Sequence, residues 1–175
     1  RQLEYIRKSV KSFNLPSIEL INYEADDLIA TYVEKILDLG AKVTIVSSDK
    51  DLMQLYKKGV RIYDPMKSKF INQDDVHNKF GVTPEKVIDV QSLAGDSTDN
   101  VPGVPGIGVK TAAELINQYG TLENLLKNAS KIKQNKRRET LINKKNNSIT
   151  SKELVTLKKD VPVKNKIEEF VLKNI

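Results

Sequence analysis

The chain has 175 residues, 39% of them hydrophobic, with no cysteine and a formal net charge of +6. That length can bury one substantial core, and no apolar run approaches the roughly 20 residues of a membrane span. Without thiols there are no disulfides, thiolate zinc sites or cysteine nucleophiles, and a reducing, intracellular setting fits. The charge is divided along the chain: residues 1–100 hold 14 Lys/Arg against 16 Asp/Glu, and residues 101–175 hold 15 against 7. An acidic half joined to a basic half suits cations held on one part and a polyanion on another, although a solvated lysine-rich surface has the same composition.

Taken in order, Leu3, Ile6, Val10 and Phe13 fall at helical spacing over residues 2–13, and the Pro16 region stops that helix. Residues 18–21 are a short strand candidate. A longer helix is expected over 24–39, with Leu28, Ile29, Val33, Ile36 and Leu37 as its apolar stripe and Gly40 as its stop. Residues 42–47 (KVTIVS) are β-branched and apolar, which predicts a buried parallel strand. A short helix over 52–56, a strand over 60–63 and a minor strand over 69–71 follow. Residues 74–80 and 84–93 are predicted helical, the second opened by Pro84 with Thr83 as cap. Further helices are expected near 109–119, 121–128 and 134–146, and the segment from Val161 is weakly patterned. Strands alternating with helices and then helices alone predict an α/β class: a parallel sheet core over residues 1–80 with a helical annex over 81–175, packed as one unit.

Three acidic clusters carry the chemistry. Glu24, Asp26 and Asp27 open the long helix, where the dipole also favours acids for purely structural reasons. Asp49 and Asp51 end the buried strand, where ligands bind in open α/β sheets. Asp96 and Asp99 are spaced to share one face or one turn mouth. Oxygen ligands without His or Cys select Mg²⁺ or Mn²⁺ over zinc. Two such ions ~4 Å apart would clamp an in-line attack of water on a phosphodiester. A single Asp-x-Asp is commonly only a cap or turn; several clusters at strand ends and helix starts are expected to converge. His77 is the one histidine and lies away from the acids, so no Ser/His/Asp system can be built.

Residues 103–111 (GVPGIGVKT) look like a nucleotide P-loop, but Val109 intervenes before Lys110-Thr111 and no buried strand precedes them. The alternative is a tight hairpin between helices, in which glycines let backbone N–H groups approach a phosphate and Lys110 adds charge. A plain helix–helix turn is the structural reading of the same residues. Residues 127–152 carry Lys127, Lys131, Lys133, Lys136, Arg137, Arg138, Lys144, Lys145 and Lys152 against the single acid Glu139. Such a patch would make polyanion binding fall steeply with salt.

The stretches YEADDLIA (23–30), SSDKDLMQL (47–55) and LAGDSTDNVPGVPGIGVKTA (93–112) resemble the 5′-nuclease domain of bacterial DNA polymerase I, within the flap-endonuclease superfamily. RQLEYIRKSVKSFNLPSIEL at the start and KELVTLKKDVPV (152–163) near the end extend the likeness over nearly the whole chain. The resemblance implies a PIN-like α/β core with a helix–three-turn–helix element over about 84–119, cutting DNA at 5′ flaps and 5′ ends as in primer removal, replication and repair. It implies that Glu24 and Asp26, with Asp27 beside them, hold a first Mg²⁺. Asp49, Asp51 and Asp99 would hold a second, with Asp96 joining through water. The turn residues Gly103, Gly106, Ile107, Gly108, Lys110 and Thr111 would bind DNA, and K⁺ would sit near Ile107 and Gly108. It further implies a polymerase domain in the parent protein. Two more metal-binding aspartates and most of a flap-threading arch would precede residue 1, so the piece alone is expected to bind DNA and one metal but cleave weakly or not at all. Two other readings stand beside it. One is a non-catalytic DNA-binding module. The other is a haloacid-dehalogenase-type phosphatase, against which Met53 stands where that motif wants Thr or Val.

Overall fold

The computed structural model describes residues 2–171; Arg1, which opens the first stretch of resemblance, and residues 172–175 of the expected annex lie outside the described residues. The chain divides into two compact units, Arg1–Ala41 with Lys158–Ile175, and Lys42–Leu157. The expected boundary at 80/81 falls inside the second unit, where Asn117 donates to the carbonyl of Gly81 at 2.9 Å.

In the first unit, α1 (Gln2–Ser12) forms at the expected spacing, yet none of its residues is buried. The strand expected over 18–21 does not form. Instead the N–H of Tyr23 reaches the carbonyl of Leu20 at 3.3 Å and Asn22 takes φ +70°, turning the chain into the next helix. Asn tolerates that left-handed backbone, which is incompatible with an extended strand. Helix α2 (Ala25–Asp38) buries Leu28, Ala30, Thr31 and Val33, and Gly40 at φ +74° follows it as the expected stop. The C-terminal segment is tied to α2. Thr31 Oγ1 accepts the N–H of Val161 at 3.2 Å, Lys159 pairs with Glu34 at 3.0 Å, and Phe170 packs edge-on to Tyr32.

The second unit holds a three-stranded sheet in the order β1 (Val43–Val46), β2 (Val60–Asp64), β3 (Lys69–Ile71). β1 and β2 pair in parallel, Ile45 opposite Ile62, but β3 returns antiparallel through a short turn, so the sheet is mixed rather than parallel throughout. The fully buried strand expected at 42–47 is also corrected. Only Ile45 is buried and Val46 is 65% exposed, because a run of β-branched residues still points alternate side chains to opposite faces.

Helix α3 (Gln73–Phe80) opens on a capping box, Asn72 Oδ1 accepting from the N–H of Asp75 and Asp75 Oδ2 from the N–H of Asn72. The helix expected over 84–93 breaks into a 3₁₀ turn, Pro84–Lys86, and α4 (Val87–Ala94); Thr83 is extended but makes no side-chain cap. α5 (Val109–Tyr119), α6 (Leu122–Lys127), α7 (Asn135–Asn143) and α8 (Lys145–Val155) complete the unit. α8 was not expected: it buries Ser148, Ser151 and Val155, so small polar residues replace the apolar stripe that would announce it. It packs against α4, whose Val87, Val90 and Leu93 are fully buried and which also packs on α5.

Candidate metal centre

The acidic centre of the second unit is built where β1 and β2 end. After Val46, the N–H of Ser47 bonds to the carbonyl of Tyr63 at 3.0 Å, and Ser48 Oγ donates to Asp64 Oδ1 at 2.6 Å. The loop 47–50 is therefore held against the end of β2. Asp49 Oδ1 accepts the N–H of Asp51 at 2.9 Å and starts the 3₁₀ turn Asp51–Leu55. Leu52 and Leu55, each 1% exposed, anchor that turn in the core, which leaves Asp51 at its mouth.

Asp96 and Asp99 come from the loop after α4. The backbone of Asp96 pairs both ways with Val101, at 2.9 and 2.8 Å, closing a small hairpin with Asp99 near its tip. Gly95 (φ +72°) and Gly103 (φ +56°) lie back to back beneath it. A Cβ on Gly103 would stand 2.5 Å from the nitrogen of Gly95, so both positions require glycine for space as well as backbone. Val101, Val104 and Ile107 are buried at three-residue spacing and fasten the rest of the turn.

The result is that Asp51, Asp96 and Asp99 offer carboxylate oxygens within 4.8 Å of one another. Among the described residues this is the only group of three or more His, Cys, Asp or Glu so arranged. Asp49 is not one of the three; it acts on them by shaping the turn that carries Asp51. The ammonium of Lys50 contacts Asp96 Oδ2, and its own pKa is raised, first by that bond and further by the charges of Asp51, Asp96 and Asp99. The same bond holds the carboxyl of Asp96 below its ordinary value. Burial pushes Asp51 above its ordinary value, opposed by the amide of Gln91 and the charge of Lys50. Three hard oxygen donors fit a divalent cation of the Mg²⁺ or Mn²⁺ kind, and the Lys50 ammonium holds part of the place its charge would take. Neither Lys50 nor Gln91 was singled out from sequence. The available signals were a Lys between two acids and a lone Gln in the apolar run VIDVQSLA.

Glu24, Asp26 and Asp27 belong to the first unit. Glu24 is the extended residue before α2, without a side-chain cap bond, and Asp26 lies in the first turn. Asp27 Oδ1 accepts the N–H of Lys158 at 2.9 Å, a tether to the C-terminal segment that its place in an acidic cluster did not announce.

In the glycine turn the backbone amides are not alike. The N–H of Gly103 is buried and donates to Ser151 Oγ at 2.9 Å, and the N–H of Ile107 is taken up by the carbonyl of Val104 at 3.0 Å while its side chain is core. Neither amide is open to a phosphate: that of Gly103 fastens the turn to α8, and that of Ile107 closes the turn on itself. Gly106 and Gly108 face open space, Lys110 is exposed and Thr111 half-buried. Gly108 precedes α5 with no side-chain cap, so the first N–H groups of α5 keep their capacity for an anion. Within the basic stretch, Lys152 is a structural member. Its ammonium bridges Asp89 on α4 and Glu123 on α6, both at 2.7 Å. Arg138 likewise bonds the carbonyl of Ile132 at 3.0 Å. His77 is exposed on α3, with no part in the acidic group.

An acidic centre at the end of a parallel strand pair, followed directly by two helices around a glycine turn, defines the class of α/β proteins with an appended helical element. Two family models together cover it: a 5′-3′ exonuclease N-terminal resolvase-like domain matches residues 1–81, and a 5′-3′ exonuclease C-terminal SAM fold matches residues 82–175. The chain belongs to the 5′-3′ exonuclease family. A DNA polymerase I of Rhizobium leguminosarum is 53% identical over 171 residues, covering 98% of this chain and 17% of that protein. A 5′-3′ exonuclease of Aquifex aeolicus is 40% identical over 172 residues, covering 98% of this chain and 58% of that protein. The chain thus spans about a fifth of its polymerase relatives and under two thirds of the exonuclease. T5 5′-exonuclease, solved with divalent zinc ions bound, shares the fold at a TM-score of 0.81 and 24% identity, over 89% of this chain and 58% of that one. The catalytic core of Rad2, solved with a DNA substrate, matches at a TM-score of 0.56 and 18% identity, over 90% of this chain and 55% of that one. Among the described residues no helix is long and apolar enough to cross a membrane.

Proposed function

We propose that this chain is the metal- and DNA-binding part of a structure-specific 5′ nuclease, hydrolysing phosphodiesters at 5′ flaps and 5′ ends of DNA in the bacterial cytoplasm, within a protein that also carries a polymerase domain. The observation that carries the reading is the convergence of Asp51, Asp96 and Asp99 on a scaffold of the 5′-3′ exonuclease family.

In this reading Asp51, Asp96 and Asp99, with Asp49 behind them, hold one Mg²⁺ or Mn²⁺, and Glu24, Asp26 and Asp27 contribute to a second. Bound divalent ions supply a more acidic attacking water and neutralise charge on the reacting phosphate. The chain's own residues do the rest. The 3₁₀ turn and the hairpin fix the carboxylates, Lys50 holds Asp96 ionised until a cation takes its place, and Leu52 and Leu55 keep the mouth of the turn from shifting. Gly106, Gly108, Lys110 and Thr111 grip the backbone phosphates through N–H groups and charge, which positions duplex DNA without reading its sequence. The carbonyls of Ile107 and Gly108 are the place for a monovalent K⁺ at the same turn.

The test is cleavage of a labelled 5′-flap duplex in Mg²⁺ by the full-length protein and its D51N and D99N variants. Each substitution is expected to lower the cleavage rate at least ~100-fold while flap binding in Ca²⁺ persists. Unchanged cleavage in both would remove the cluster from the reaction.

A further inference from the structure

Gln91 stands inside α4 at 4% exposure, in a helix otherwise packed through Val87, Val90 and Leu93. Its side-chain Nε2 donates to Asp51 Oδ1 at 2.5 Å. Its backbone carbonyl accepts the N–H of Gly95 at 2.8 Å, at the root of the loop that carries Asp96 and Asp99. One residue therefore registers both halves of the acidic group, through its side chain on one and its main chain on the other. The other amide atom, Oε1, is buried without a hydrogen-bond partner among the described residues. An ionised carboxylate only accepts hydrogen bonds, so the amide nitrogen has to face Asp51 and Oε1 is left behind. Such an orphaned acceptor is unfavourable for folding alone, and its persistence is accounted for by what the nitrogen does.

We propose that Gln91 is a positioning residue that sets Asp51 for cation binding, holding its Oδ1 so that the remaining oxygen converges with Asp96 and Asp99. This rests on the reading of that group as a divalent-cation site. Outer partners of metal-binding carboxylates commonly contribute 10–100-fold in affinity.

The experiment is a Mn²⁺ titration of the 175-residue chain, following the paramagnetic resonance of free Mn²⁺, in parallel with thermal unfolding in EDTA. Wild type, D51N, Q91L and Q91M are compared. Q91L is expected to weaken Mn²⁺ binding about tenfold with an equal or higher melting temperature, because the orphaned oxygen goes with the amide. Q91M has similar length and no donor, and gives the same comparison should Q91L not fold. Mn²⁺ affinity in the folded variant within twofold of wild type overturns the role of Gln91 while leaving the cation site standing. Wild-type binding indifferent to D51N removes the cation site itself, and the role of Gln91 with it.

Discussion

At the scale of single residues, Asp64 shows how the site is braced from behind. It is buried at the end of β2, accepting from Ser48 Oγ, from the N–H groups of Met66 and Lys67, and from the ammonium of Lys67 at 3.1 Å. The hydroxyl of Ser48 is the first cause, with Lys67 and the backbone donors, of a carboxyl pKa lowered from 3.8 to about 2. A carboxyl more acidic in the folded than the unfolded chain stabilises the fold above its unfolded pKa, and that stabilisation is lost as pH falls through the folded value. Urea unfolding of wild type should therefore lose stability between about pH 4 and pH 2, and D64N should show a shallower loss over that window. Equal slopes would mean that Asp64 is not the titrating group. None of this was legible beforehand, because Asp64 ends a strand with no acidic neighbour and its donors come from residues 16 positions earlier and from the turn after it.

The central element is the turn from Gly95 to Gly108, and its glycines divide by function. Gly103→Ala places a methyl against the backbone of Gly95 at 2.5 Å as well as at positive φ, whereas Gly106→Ala at φ +77° meets open space. Gly106→Ala should cost about 1–2 kcal/mol, the price of the left-handed backbone alone. Gly103→Ala should cost more and lower Mn²⁺ affinity, since the Asp96–Val101 hairpin rests on that contact. Thermal unfolding of the two variants side by side checks the order, and equal losses would contradict the packing described here. The turn and the helix after it were legible in the sequence, because Pro and Gly act locally. Sequence reading could not separate buried from open glycines, since Ser151, the partner of Gly103, lies 48 residues away. The same limit hid α8, where tertiary packing against α4 decides and apolar periodicity is silent.

For the whole molecule, the uneven charge noted in the sequence has a structural counterpart in part. Lys127, Lys131, Lys133, Lys136, Lys144 and Lys145 are exposed, while Lys152 bridges the α4 and α6 carboxylates. DNA affinity should fall linearly on a log–log plot against salt, and Lys110→Ala should reduce the slope by about one. An unchanged slope would take Lys110 out of the interface. The central claim, that Asp51, Asp96 and Asp99 together hold a divalent cation, is met most directly by the anomalous scattering of Mn²⁺ in crystals of this chain. A peak is expected about 2.1 Å from oxygens of these carboxylates, with the Lys50 ammonium withdrawn from Asp96. Crystals grown in saturating Mn²⁺ that show no peak there, with Lys50 still on Asp96, would contradict it.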